Sequence, residues 1–293
     1  MTIKNAQARS SLALLIEEKL GYAMIKQPKA AIQSEDRRFT QTPNPNQNQF
    51  IVRSEHGVLK RALKRNQLQR IAQQRNIESI MGMSLTLCPD VTSRGRPDPD
   101  WLEHFIALAE DIANSAMQKL WAKILVGESI APGTFSIKSL QTLKQMTQKE
   151  ADALQRCASL CGYLEKEDSY LILLGFYKKP SLFDLLRKGT KESLNLAQAG
   201  LSFPHILTLM DINLIYRQEI ESANLQKGQS LTLAYQGKHL AIEANSNDLV
   251  LSYYKLTQTG DELKKLINTP VNKTYRQLLS KALEEEFTLT WGA

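Results

Sequence analysis

No stretch of this chain is apolar for long enough to cross a bilayer. Its longest runs, such as Leu171-Ile172-Leu173-Leu174, fall far short of the roughly 20 residues a spanning helix needs. The start of the chain lacks the form of a secretory signal: the short patch Leu12–Ile16 meets Glu17 and Glu18, with no small-residue cleavage site after it. Both absences point to a cytoplasmic protein. Cysteine is scarce, with Cys88, Cys157 and Cys161 an odd set that suggests reduced thiols. Cys157 and Cys161 stand four apart on an expected helix, but two thiols do not make a zinc site, and they read as small core residues. There is no nucleophile–base pair, no glycine-rich phosphate loop, no metal-ligand spacing and no internal repeat. No metal or cofactor is therefore expected.

The 293 residues leave room for two modest domains, and 42% hydrophobic with 23% charged residues is ordinary for a globular protein. The charge is not evenly spread. Residues 1–100 hold 16 Lys/Arg against 9 Asp/Glu, which accounts for the whole net charge of +7, and the remainder balances. An acidic partner would be met in the N-terminal third.

Hydrophobic spacing predicts an amphipathic helix within residues 1–26, through Ala8, Leu12, Leu15, Ile16 and Leu20, with Gly21 interrupting it. Residues 27–52 turn polar and carry Pro43, Pro45 and an Asn/Gln tract, the composition of a flexible linker. A helix over 55–82 gathers Val58, Leu59, Ala62, Leu63, Ile77 and Ile80 on one side. Most of the bases Lys60, Arg61, Lys64, Arg65, Arg70 and Arg75 fall opposite, with Leu68, Arg70 and Ile71 as exceptions.

After a proline-rich loop, Asp100 with Glu103 reads as a capping box for a helix burying Trp101, Phe105 and Leu108. Asn114 caps the next, with Met117, Trp121, Ile124 and Leu125 inward. Pro132-Gly133 stops it, Ser136 starts a third, and Thr147 with Glu150 boxes a fourth. Short connections imply an antiparallel bundle. Beyond Gly162, Tyr170–Tyr177 reads as a strand, 181–188 and 203–210 as short helices, and Leu231–Tyr235, His239–Glu243 and Leu249–Leu256 as strands, the first two joined by Gln236-Gly237-Lys238. The expected fold is mainly α: a helical bundle over 53–165, a small α+β winged-helix-like domain over 166–268, and a C-terminal helix and tail over 269–293.

The run Asp98-Pro99-Asp100-Trp101, then Met117-Gln118, Leu120-Trp121, Ile124-Leu125 and Gly127-Glu128, then Pro132-Gly133, Phe135-Ser136 and Leu140, resembles the signature of an uncharacterised bacterial family, a domain of unknown function. Gln74–Ile80 is similar to the segment that precedes the signature, and Gly200–Ile215 and Leu256–Leu263 are similar to its tail. The resemblance spans roughly 55–268 and leaves out the Asn/Pro-rich linker and the last twenty or so residues. It implies a shared fold, with Asp100, Trp101, Trp121, Gly127, Glu128, Pro132, Gly133, Phe135 and Ser136 as structural marks. It brings no activity and no catalytic residues.

The basic helix is the strongest functional candidate, since Lys60, Arg61, Lys64, Arg65, Arg70 and Arg75 would neutralise nucleic-acid phosphates without reading sequence. The plainer alternative is a solvated face, or one paired with Glu284, Glu285 and Glu286. The segment has no aromatic residue for stacking on single strands. The expected recognition helix offers Ser202, His205, Thr208, Asp211 and Asn213 with no Lys or Arg, which favours protein docking over DNA reading. For a hydrolase or nuclease the candidates are Glu103, His104, Glu110, Asp111 and Glu128. Each has a structural explanation, such as Glu128 accepting the backbone donors of the Pro132-Gly133 turn. The leading expectation is a non-catalytic adaptor that assembles with itself or another protein. Nucleic-acid binding through 58–75 is the alternative, an unrecognised hydrolase site the second. The N-terminal helix also suits a partner's groove or weak contact with an acidic membrane surface.

Overall fold

The computed structural model describes residues 14–26, 50–53, 57–89, 95–179 and 191–292, which divide into two compact units, Met1–Ser79 and Ile80–Ala293. In the first unit, helix α1 is described over 14–20 and ends at Gly21, whose φ of 74° is a conformation that suits glycine. Strand β1 (Ala23–Lys26) follows and pairs antiparallel with β2 (Phe50–Arg53). The last residues of the expected linker are thus strand, and the remainder of that segment, 27–49, lies outside the described residues. So do 1–13 and the helix expected at 181–188. Helix α2 (Val58–Leu87) runs on through the boundary between the units. A Cβ on Gly21 would lie 2.7 Å from Leu68 Cδ1, and Arg61 sits 5.7 Å over the Tyr22 ring, so the α1–β1 turn packs on this helix.

In the second unit, α3 (Pro99–Ala109) begins at Asp98, whose carboxylate accepts the Trp101 N–H at 3.0 Å. The expected cap, Asp100, lies in the first turn instead. Pro99 decides this, because its fixed φ and missing N–H suit the first helical position. Helix α4 (Ser115–Ile130) is capped by Asn114, α5 (Ile137–Gln145) by Ser136, and α6 (Gln148–Ala158) by a Thr147–Glu150 capping box.

The chain then enters a sheet. Its strands are β3 (Gly162–Leu164), β4 (Ser169–Lys178), β5 (Lys191–Ser193), β6 (Ile220–Glu221), β7 (Ser230–Tyr235), β8 (Lys238–Ala244), β9 (Leu249–Lys255) and β10 (Phe287–Trp291). Three helices interrupt them: α7 (Phe203–Asp211), α8 (Gln258–Lys265) and α9 (Lys273–Leu283). The order across the sheet is β10-β8-β7-β3-β4-β9-β6, with β5 also on β4, and every pairing is antiparallel.

This overturns the expectation of a mainly α-helical bundle followed by a winged-helix-like domain. The strands form one eight-stranded antiparallel sheet, and the residues expected to divide bundle from wing lead into its middle. The physical reason is range. The β7–β8 hairpin closes locally through Gln236 and Gly237, both at positive φ. By contrast β4 pairs with β9, and β10 with β8, across long stretches of chain whose local patterns say nothing of their partners. Helix α9 adds Tyr275, Leu279 and Leu283 to the core, and Tyr275 donates to the Leu173 carbonyl of β4 at 3.0 Å. The sequence predicts a helix around Tyr275–Phe287, but α9 ends at Leu283 and the chain becomes β10, where Phe287 meets Phe176 edge-on at 5.2 Å.

Two glycines are required by close approach. Gly175 sits at φ 147° at a bulge in β4, and a Cβ there would fall 2.0 Å from the Glu192 carbonyl oxygen. A Cβ on Gly260 would fall 2.1 Å from that of Leu214.

Candidate functional site

The expected apolar side of α2 has two fates. Ile80 is fully buried and Ser84 nearly so, but Val58, Leu59 and Leu63 are 73%, 73% and 60% exposed. Hydrophobic spacing groups these residues on one face but does not tell which part of that face is covered. The other side holds the bases. Advancing by about 100° per residue, Lys60, Lys64, Arg75, Arg61 and Arg65 fall within an arc of about 140°, and Arg70 lies outside it. From Lys60 to Arg75 they span about 22 Å of helix.

Lys60, Lys64, Arg65, Arg70 and Arg75 are exposed, while Arg61 is half-buried beside Tyr22. Lys60, Lys64, Arg65, Arg70 and Arg75 take part in no ion pair among the described residues. Of the acids considered as their partners, Glu286 lies 3.7 Å from Lys178. No Asp or Glu occurs from Val58 to Ile77. A run of cations on a stretch with no carboxylate makes a local positive field, screened by salt.

The marks of the family resemblance converge on one structural cluster. Trp101 stacks on Phe105 at 5.2 Å, Phe105 meets Trp121 at 5.3 Å, and the Trp101 indole donates to the Phe135 carbonyl at 2.7 Å. Glu128, 2% exposed, accepts the backbone N–H of Gly133 at 2.5 Å and of Phe135 at 3.0 Å. A Cβ on Gly127 would lie 2.9 Å from the Phe135 ring, so a side chain there would displace it. Sequence reasoning missed the second carboxylate on this loop. Glu262 of α8 accepts both the N–H and the hydroxyl of Ser136, at 2.6 and 2.8 Å. The two glutamates satisfy donors left unpaired where α4 gives way to α5.

The remaining catalytic candidates do not gather. Glu103 and His104 are exposed on α3, and His104 Nδ1 lies 2.7 Å from the Asp100 carbonyl. Asp111 pairs with Lys144 at 2.9 Å, and Glu110 is half-buried beyond the end of α3. Among the described residues no three His, Cys, Asp or Glu side chains are grouped as a metal would require. In and beside α7, Asp211 pairs with Arg217 at 3.1 Å, Thr208 bonds back to Pro204, and His205 caps its own helix through Ser202. Cys157 and Cys161 are buried with sulfurs 3.8 Å apart, and Cys88 is exposed. Burial, reinforced by the neighbouring Cys157, pushes the Cys161 thiol well above its ordinary range.

A family model described as "Protein of unknown function (DUF2806)" matches residues 60–280. The chain belongs to this family. The DUF2806 match begins within the basic stretch of α2, includes the Trp101–Phe135 cluster and most of the sheet, and ends inside α9. The α1–β1–β2 segment and β10 lie outside it. Searches of curated proteins and of solved structures found no match. No described helix is long and apolar enough to cross a membrane.

Proposed function

We propose that this protein binds double-stranded nucleic acid through α2, by phosphate contacts that do not read sequence. One observation carries the reading: exposed bases without ion-pair partners among the described residues, on a stretch with no carboxylate between Val58 and Ile77. Phosphates would supply the missing counter-charge, and the condensed cations they release would drive binding. The absence of aromatic residues from that stretch speaks for duplex over single strands.

Fluorescence anisotropy with a labelled random-sequence duplex tests this. With the four exposed bases of the arc engaged, Lys60, Lys64, Arg65 and Arg75, the slope of log affinity against log salt should be about −3.6. Raising salt from about 50 to 200 mM should then weaken binding on the order of 150-fold. Replacing these four together by Gln should bring the slope close to zero. Equal binding by wild type and variant refutes the proposal.

A second reading, the non-catalytic adaptor, draws support from the exposed Val58, Leu59 and Leu63. Self-association through α2 would set like charges against one another, so an adaptor would dock an acidic partner there. Leu59→Gln with Leu63→Gln would weaken such a complex and leave duplex affinity almost unchanged.

A further inference from the structure

A cavity of about 540 Å³ opens between the start of β4, the β7–β8 turn and the segment after α8. That volume is in the range of small-molecule sites, about 300–1,000 Å³. Its walls include Cys161, Tyr163, Tyr170, Gln236, Lys264 and Thr269. Lys264 is only 9% exposed, with its ammonium 4.9 Å over the Tyr170 ring. It takes part in no ion pair among the described residues.

Asp261, three residues earlier on α8, forms no ion pair with Lys264. Its oxygens instead accept the Tyr170 N–H and the Ser169 hydroxyl, both at 2.8 Å. The ammonium borders the cavity with only a ring face beside it, and an anion entering the cavity would give it the counter-charge it lacks. The surroundings supply further hydrogen-bonding capacity. Gln236 donates to the Ala158 carbonyl at 3.0 Å and to Thr269 Oγ1 at 3.2 Å, which leaves the Thr269 hydroxyl proton to donate. Tyr163 is fixed by its hydroxyl bond to Asp168, and its ring lies 5.0 Å from that of Tyr170. The cavity thus offers a cation, a hydroxyl donor and two aromatic walls.

We propose that this cavity binds a small oxyanion, the carboxylate or phosphate group of a metabolite-sized molecule, with Lys264 as its counter-ion. The ammonium and the Thr269 hydroxyl hold the anionic group, and the tyrosine rings border the rest of the ligand. The site is separate from α2 and does not depend on the nucleic-acid reading.

Isothermal titration of the full chain with inorganic phosphate and, separately, with benzoate, each to about 10 mM, tests the proposal. Saturable one-site binding of either probe is expected, and which one binds identifies the favoured group. Lys264→Gln should weaken it by about tenfold or more, the order expected for one charged hydrogen-bonding partner. Lys119→Gln, on the exposed side of α4, should leave it unchanged. If circular dichroism shows Lys264→Gln to be unfolded, Thr269→Val takes its place, with a smaller loss expected. No saturable binding of either probe to the wild type overturns the proposal. So does binding that survives the cavity variants and disappears when Lys60, Lys64 and Arg65 are replaced.

Discussion

Replacing Glu128 tests the part of this structure most tightly specified by its geometry. The carboxylate is 2% exposed and receives two backbone donors, Gly133 at 2.5 Å and Phe135 at 3.0 Å. Hydrogen bonds to a charged group contribute about 1.5–3 kcal/mol each, and a buried donor left unpaired costs about 1–3 kcal/mol. Glu128→Ala removes the acceptor of both bonds and leaves a void, so a loss of about 3–5 kcal/mol is expected. For a domain of this size that lowers Tm by roughly 6–20 °C. Glu128→Gln keeps the shape and one acceptor but turns an amide donor toward a second N–H, and should cost about half as much. Glu103→Ala, on an exposed turn of α3, should stay within about 0.5 kcal/mol. Urea denaturation followed by circular dichroism gives all three values. If Glu128→Ala costs less than about 1 kcal/mol, the turn is not held as described.

Three further outcomes follow from the same coordinates. Burial pushes the Asp261 carboxyl up from 3.8 to about 6, against the opposing Tyr170 N–H and Ser169 hydroxyl. The folded state therefore holds a proton that the unfolded state has lost, and this group's contribution to stability should fall as pH rises from about 4 through about 6. Asp261→Asn should flatten that part of the profile, and an unchanged slope in urea titrations would refute the assignment. Gly175→Ala and Gly260→Ala would set a Cβ at 2.0 and 2.1 Å from carbonyl oxygens, so each should lower stability by more than about 2 kcal/mol; a near-neutral result would contradict the close approach. A thiol reagent should titrate Cys88 quickly and reach Cys157 and Cys161 only after denaturation, and three fast thiols in native protein would contradict the burial.

The helix caps were legible because capping is local. Asn114, Ser136 and Thr147 each bond a donor two or three residues on, and the role read for Glu128 spans only seven residues. The Asp98 cap was missed by two positions, although Pro99 gave the signal. The composition of α2 was equally plain, since neither its bases nor the lack of acids from Val58 to Ile77 depends on folding. Its exposed apolar residues were not legible, because periodicity shows which residues share a face and not how much of that face finds something to pack against.

By itself the sequence determined the starts of α4, α5 and α6, where charge collects and that a tight turn at Gln236-Gly237 joins two strands, because those choices are settled within a few residues by backbone donors, prolines and glycines. Only the tertiary structure decided that eight strands join in one antiparallel sheet, that Glu262 reaches Ser136 from 126 residues away, and that the Lys264 ammonium lies over Tyr170 while Asp261 is occupied elsewhere. Strand partners and buried charges are selected by distant segments competing for the same donors and the same shelter from water, and no window of local pattern contains that competition.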